Sequence, residues 1–292
     1  MEEIKKISII GAGRVGVALA KALAMHGFSI ADIVDQDENR LQWARQQCTA
    51  ENYCSNLKKM IWGDAVFLCV PDDQIHSVAN ELSRSLPEME TLKFAFHCAG
   101  SRAADELLPL SDYGIKIASM HPVQTFFGAQ DDYKKTVGIY WAIEGDEDAV
   151  SAAKVIIGKL KGEFILLSAS AKPIHHLACT FASNYLNFLL SLIIEFYQNI
   201  GIDETVARKM VLPLASTTLE NIGEKGLEEA LTGPIARGDL GTLEKHLKIL
   251  SEKFPEFEII YKLLAKRVFE YSSVIDELDV GTIQQLKKLF NE

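Results

Sequence analysis

The chain of 292 residues has no Cys-x-x-Cys pair, no clustered run of lysine and arginine, no internal repeat and no low-complexity linker. Each absence excludes a class of protein. The five cysteines, Cys48, Cys54, Cys69, Cys98 and Cys179, are odd in number and irregularly spaced; they offer no disulfide framework and suit reduced thiols acting as small apolar side chains in the cytoplasm. Thirty basic residues against 40 acidic ones give a formal charge of −10. The basic ones are dispersed, so neither nucleic acid nor an anionic membrane surface is an expected partner. The apolar run after Lys6 is too short for a signal-peptide core, again pointing to the cytoplasm. The most apolar stretch, Leu177 to Phe196, contains Ser183, Asn184, Asn187, Ser191 and Glu195, which lipid would penalise, and it reads as a buried helix and not a membrane span. No metal site is expected, because no His, Cys or carboxylate spacing suggests one and the adjacent His175 and His176 point to different sides of a helix.

What remains is a compact globular chain, 48% hydrophobic and 24% charged, long enough for two domains. Strand and helix patterns alternate through the first 168 residues, with strands expected near 4–10, 29–35, 64–70, 92–98, 115–120, 136–143 and 163–167. That alternation predicts a doubly wound, mainly parallel sheet with right-handed crossovers. Ala65 to Val70 is apolar throughout, as a central strand covered on both faces should be. From residue 169 the pattern becomes helical, over roughly 172–200, 203–222, 240–250, 256–273 and 281–290. The expected organisation is therefore an α/β domain at 1–168 followed by a smaller all-α domain at 169–292.

The first strand runs directly into Gly11-Ala12-Gly13-Arg14-Val15-Gly16, and an Ala- and Leu-rich helix follows. In that context G-x-G-x-x-G is the dinucleotide-binding fingerprint of a Rossmann-type fold: a tight turn at Gly11, room for a pyrophosphate at Gly13, and close helix packing at Gly16. The second strand ends in Asp35, nineteen residues after Gly16, where an acid can accept from an adenosine ribose. Because such an acid repels a 2′-phosphate, NAD is preferred to NADP; Arg40 reads as a surface charge.

Ligands of an open parallel sheet bind beyond the carboxyl ends of its strands, and polar residues recur there. They include Val70-Pro71-Asp72, then His97 to Gly100, then Ser119 to Phe126 with His121. Val70, Pro71, Asp72, His97 and Gly100 are accordingly candidates for the cofactor, although Pro71-Asp72 also suits a plain helix start. His121 is a candidate proton-transfer group, since imidazole titrates near neutrality. At 100° per residue His176, Thr180, Ser183, Asn184 and Asn187 form one uncharged polar stripe, which suits a groove lining or a subunit contact. Lys172 precedes it, either as a proton donor or carboxylate anchor or as a solvated lysine at a helix start. Arg237, within Leu231 to Asp239, is either an anion clamp or the partner of Asp239, which would cap the next helix.

On the fingerprint at Gly11 to Gly16, on His121 to Phe126, on His176 with Ser183 to Leu186, and on Leu231 to Asp239, the chain resembles Rossmann-like oxidoreductases whose C-terminal helical half is a domain of unknown function. More distantly it resembles pyrroline-carboxylate reductases, ketopantoate reductases and the 6-phosphogluconate-dehydrogenase-like group. In several of these a lysine and an asparagine one helical turn apart flank the substrate. Here His176 stands four residues after Lys172, and the asparagine comes at Asn184. The resemblance implies fold and cofactor class more than substrate.

The expected activity is hydride transfer between a nicotinamide of NAD or NADP and a small carbonyl, imine or hydroxy-acid substrate held between the domains. His176 or His121 is the expected proton partner, Asn184 orients the substrate, and Lys172 or Arg237 binds an acidic group. A non-catalytic dinucleotide sensor is the alternative, and a homodimer through the C-terminal helices is expected.

Overall fold

A computed structural model describes residues 4–84, 91–271 and 278–290, arranged in two compact units, Met1–Phe188 and Leu189–Glu292. The first unit is built on an eight-stranded sheet: β1 (Lys6–Ile10), β2 (Ser29–Val34), β3 (Asn52–Cys54), β4 (Ala65–Leu68), β5 (Phe94–His97), β6 (Lys116–Pro122), β7 (Tyr140–Gly145) and β8 (Glu163–Leu166). Their order is β3-β2-β1-β4-β5-β6-β7-β8, parallel except for the antiparallel β6–β7 pair. This is the Rossmann-type order, with the reversal of direction beside β1, where dinucleotides bind.

All four residues of β4 are buried, and they alternate between two cores. Phe67 points to the side lined by Ile7, Ile9, Leu19 and Trp141, and its ring centroid lies 4.9 Å from that of Phe96. Val66 and Leu68 point to the other side, with Ile75, Leu82, Leu107 and Leu110. Helix α1 (Arg14–Met25) presents Ala18, Ala20 and Ala22 to the interior, small side chains that let its backbone lie close to the sheet. Asp32, fully buried in β2, accepts from Ser8 Oγ at 2.8 Å, Asn52 Nδ2 at 2.8 Å, and the Ile61 and Trp62 amides at 2.9 Å each. One carboxylate thereby ties β1, β2, β3 and the chain entering β4 together.

β3, which the sequence pattern does not signal, is three residues long and begins with a polar Asn52. It forms through its pairing to β2. Between the strands run α2 (Glu38–Gln47), α3 (Ile75–Ser83), α4 (Leu108–Ser111) and α5 (Glu147–Lys159), and helix follows the sheet from residue 172: α6 (Lys172–Thr180), a π-helical turn (Phe181–Tyr185) and α7 (Leu186–Asn199). Leu177 to Phe196 is not the buried helix its composition suggests. Ala169–Asn199 is long and apolar enough to cross a membrane, and its most apolar window has no buried residue. Leu177, Phe181 and Phe188 are exposed, whereas Leu192 is buried and the Phe196 ring lies 4.8 Å from that of Phe254.

The second unit is all helical, with α8 (Glu204–Glu229), α9 (Leu240–Lys253), α10 (Pro255–Tyr271) and α11 (Val280–Leu289). Leu243, Ala265, Leu286 and Phe290 form its core. The backbone of α8 breaks at Gly226, three residues beyond the Gly223 at which the pattern places its end.

Candidate active site

The fingerprint loop has the geometry its glycines imply. Gly11 adopts a φ of +101°, and a Cβ there would lie 2.4 Å from the Cys69 carbonyl oxygen; a Cβ on Gly16 would lie 2.0 Å from the Gly11 carbonyl oxygen. Both positions require glycine. Gly13, the N-cap of α1, has no protein atom within 4 Å of the position its Cβ would occupy. The helix thus opens onto vacant space at its positive end, the arrangement that receives a phosphate. Beside it a cavity of about 370 Å³ is lined by Ala12, Gly13, Arg14, Arg40, Trp43 and Gly128.

Asp35 Oδ2 accepts from the Ala12 amide at 2.8 Å and its Oδ1 from the Asp37 amide at 2.9 Å, so this carboxylate braces the fingerprint loop. Arg40 Nη1 approaches it to 3.7 Å. Arg40, an exposed charge as the sequence suggests, lines the cavity beside Gly13 together with Trp43 and Gly128. Gly128 is held by Asp132, whose Oδ2 accepts from the amides of Phe127, Gly128 and Ala129. No motif in the sequence points to that loop.

Along the same sheet edge, Val70 is half-buried, Pro71 and Asp72 are exposed, and Asp72 Oδ2 accepts from Ser101 Oγ at 3.3 Å. All five cysteines are free thiols, with Cys69 and Cys98 Sγ 3.8 Å apart. His97 is fully buried. Its Nε2 donates to the Ala103 carbonyl at 2.9 Å and its Nδ1 accepts from the Ala99 amide at 3.2 Å, so its ring is spent on folding the loop after β5. Burial pushes its pKa down to about 4.

β6 delivers Ser119 and His121, and α6 delivers Lys172, His175, His176 and Cys179. Lys172 is not solvated: it is fully buried, and its Nζ donates to Ser119 Oγ at 2.5 Å and to the Ala99 carbonyl at 3.1 Å. Burial lowers its pKa to about 8. His121 Nδ1 lies 3.0 Å from His175 Nε2, and the His121 and His176 rings are 6.3 Å apart. A Cβ on Gly100 would come within 2.5 Å of His176 Cδ2 and 2.9 Å of His121 Nε2, so the close approach of these rings depends on glycine at this position. Burial, reinforced by the Lys172 charge and the other histidines, drives the His121 pKa down to about 3. His121 is neutral at physiological pH.

The structure thus brings His121, Lys172 and His176 together beside Gly100. Asn184 is exposed on the π-helical turn, where Ser183 Oγ donates to its Oδ1 at 3.2 Å. That turn adds a residue to the helical repeat, so the stripe drawn at 100° per residue shifts phase beyond Thr180. Arg237 is exposed in the second unit, ahead of Asp239, which caps α9 by accepting from the Thr242 amide and hydroxyl.

Residues 6–91 match the domain described as NADP oxidoreductase, coenzyme F420-dependent, and residues 139–268 match a domain of unknown function, DUF2520. No curated protein sequence matches. Among solved structures, protein TM1727 from Thermotoga maritima is similar at 23% identity and a TM-score of 0.71, over 90% of this chain and 97% of its own. Protein BF3122 from Bacteroides fragilis, assigned as an NADP oxidoreductase, is similar at 23% identity and a TM-score of 0.71, over 91% of this chain and 98% of its own. Pyrroline carboxylate reductase from Plasmodium falciparum, solved with NADP bound, is similar at 14% identity and a TM-score of 0.59, over 100% of both chains.

Proposed function

We propose that this protein is an NAD(P)-dependent oxidoreductase that transfers a hydride between nicotinamide and a small carbonyl, imine or hydroxy-acid substrate. The observation that carries this reading is the shared sheet edge. The open N-terminus of α1 at Gly13 and the His121–His176–Gly100 cluster both lie beyond the carboxyl ends of parallel strands, β1 for the one and β5 and β6 for the other. Hydride transfer asks the protein for orientation, exclusion of water and one proton partner. His176 is our assignment for that partner: it is exposed, whereas His121 is held neutral and Lys172 is occupied by Ser119 and the Ala99 carbonyl. Asn184 is assigned to orienting the substrate.

NADP is the cofactor we favour, in place of the NAD expected from Asp35. Arg14 and Arg40 line the cavity beside Gly13, and the Asp35 carboxylate is already engaged by two backbone amides. Two guanidinium groups suit a 2′-phosphate. The free thiols fit a cytoplasmic protein. The exposed apolar side chains of α6 and α8, Ile174, Leu177, Leu214 and Leu227 among them, support a homodimer through these helices, testable by light-scattering mass in solution.

Thermal stabilisation by NADP(H) and NAD(H) at matched concentrations tests the cofactor assignment, because stabilisation follows ln(1 + [L]/Kd). The expected result is a larger shift with NADP(H) that shrinks in Arg40→Ala. Turnover across a panel of carbonyls, imines and hydroxy acids tests the activity, and His176→Ala should abolish it while retaining the thermal shift. A shift with no turnover on any substrate would make the protein a dinucleotide sensor, and no shift with any of the four would overturn the reading.

A further inference from the structure

His121, His175 and Cys179 each bring one ligand atom into a group whose members all lie within 4.8 Å of one another. His121 Nδ1 is 3.0 Å from His175 Nε2, and Cys179 Sγ is 3.8 Å from that same His175 Nε2. We propose that these three side chains form a binding site for a divalent transition-metal ion, zinc being the best match, with a fourth position open to water or a ligand. The site goes beyond the hydride-transfer reading and stands whether or not that reading holds.

The geometry follows from two elements of the first unit. His175 and Cys179 are four residues apart on α6 and share one face of the helix. His121 comes from β6, 54 residues earlier, and faces them. A tetrahedral zinc with Zn–N near 2.0–2.1 Å and Zn–S near 2.3 Å separates its ligand atoms by about 3.3–3.6 Å. The separations of 3.0 Å and 3.8 Å fall on either side of that range and the third is within 4.8 Å, so an ion can be seated by side-chain rotations.

The chemistry of the three groups agrees. A metal ligand must present a lone pair, which an imidazole nitrogen and a thiolate supply. Binding must expel the thiol proton of Cys179, and the thiolate formed offsets the nearby ammonium of Lys172. In the apo state the 3.0 Å contact between His121 and His175 consumes the same two nitrogens that would ligate, which keeps the pair aligned until a cation displaces the shared proton. Two histidines and one cysteine with an open position suit borderline-soft ions such as zinc and cobalt over magnesium or calcium. His176, on another side of the helix, remains available to a substrate.

The test uses the full-length, tag-free chain stripped with a chelator and titrated with Co²⁺ alone. The expected result is one Co²⁺ ion bound per chain with release of the Cys179 proton, a near-ultraviolet thiolate-to-cobalt charge-transfer band, and full loss of that band on displacement by Zn²⁺. Cys179→Ser should lose the band, His121→Ala should weaken binding by more than the roughly 100-fold that loss of an outer-shell partner costs, and His246→Asn, in the second unit, should change nothing. Circular dichroism of each apo variant identifies those that fold. Absence of stoichiometric binding in the folded wild-type chain would overturn the proposal. So would a band that survives in folded Cys179→Ser, and if that variant fails to fold, S-alkylation of Cys179 in the folded wild type replaces it.

Discussion

Lys172 Nζ donates to Ser119 Oγ across 2.5 Å with neither side chain reaching solvent, fastening the first turn of α6 to the carboxyl end of β6. The bond holds the helix that carries His175, His176 and Cys179 against the strand that carries His121. Its cost is a buried ammonium whose pKa is lowered to about 8 from 10.5.

That cost makes stability depend on pH in the alkaline range. Between about 8 and 10.5 the unfolded lysine keeps its proton while the folded one has lost it, so stability rises with pH across that window. At ~1.4 kcal/mol per pH unit the gain approaches about 3 kcal/mol. Urea denaturation of the wild type should show this rise, and Lys172→Met should lack it; an identical slope in both would refute the assignment.

The acid side has the same sign, since there too the unfolded chain binds more protons than the folded one. His97 and His121 have folded pKa values lowered by burial to about 4 and about 3 from 6.5, so below 6.5 the unfolded chain takes up protons that the folded chain refuses. Stability should fall steadily as pH drops through that window. His97→Gln should flatten the fall, and urea midpoints measured along an acid titration would detect it.

Two glycines of one motif should fail differently. Gly16→Val places a Cβ 2.0 Å from the Gly11 carbonyl and should prevent a stable fold. Gly13→Val puts its Cβ where no atom beyond the adjoining residues lies within 4 Å and should leave the melting temperature of the apo chain nearly unchanged, while removing the thermal shift by dinucleotide. Melting curves with and without NADP(H) separate the two outcomes.

Asp32→Ala leaves four donors, from Ser8, Asn52, Ile61 and Trp62, without their acceptor inside the fold. The expected loss is about 3–5 kcal/mol in equilibrium unfolding. A loss under ~1 kcal/mol would show that water replaces the carboxylate.

The elements legible in the sequence are those specified by local pattern. β4 is a continuous apolar run, α1 follows a strand and a glycine turn, and Asp239 caps α9 through Thr242, three residues on. β3 was not legible, since three residues beginning with a polar Asn52 have no periodicity and the strand exists through its pairing with β2. Leu177 to Phe196 misled for the converse reason: an apolar composition states that a face needs cover, and Leu177, Phe181 and Phe188 nevertheless stay exposed. The polar stripe from His176 to Asn187 presumed a regular helix that the π turn interrupts.

By itself the sequence determined the α/β architecture, the helical C-terminal half and the dinucleotide-binding class, because a strand, a G-x-G-x-x-G turn and a helix are neighbours along the chain and act through their own backbone. Only the tertiary structure decided what its chemical side chains do. Whether Lys172 is solvated or buried depends on Ser119, 53 residues away, and whether His175 faces solvent or His121 depends on a separation of 54. Burial and partner charge set the protonation of such groups, and neither exists until the sheet has closed and α6 lies against β6.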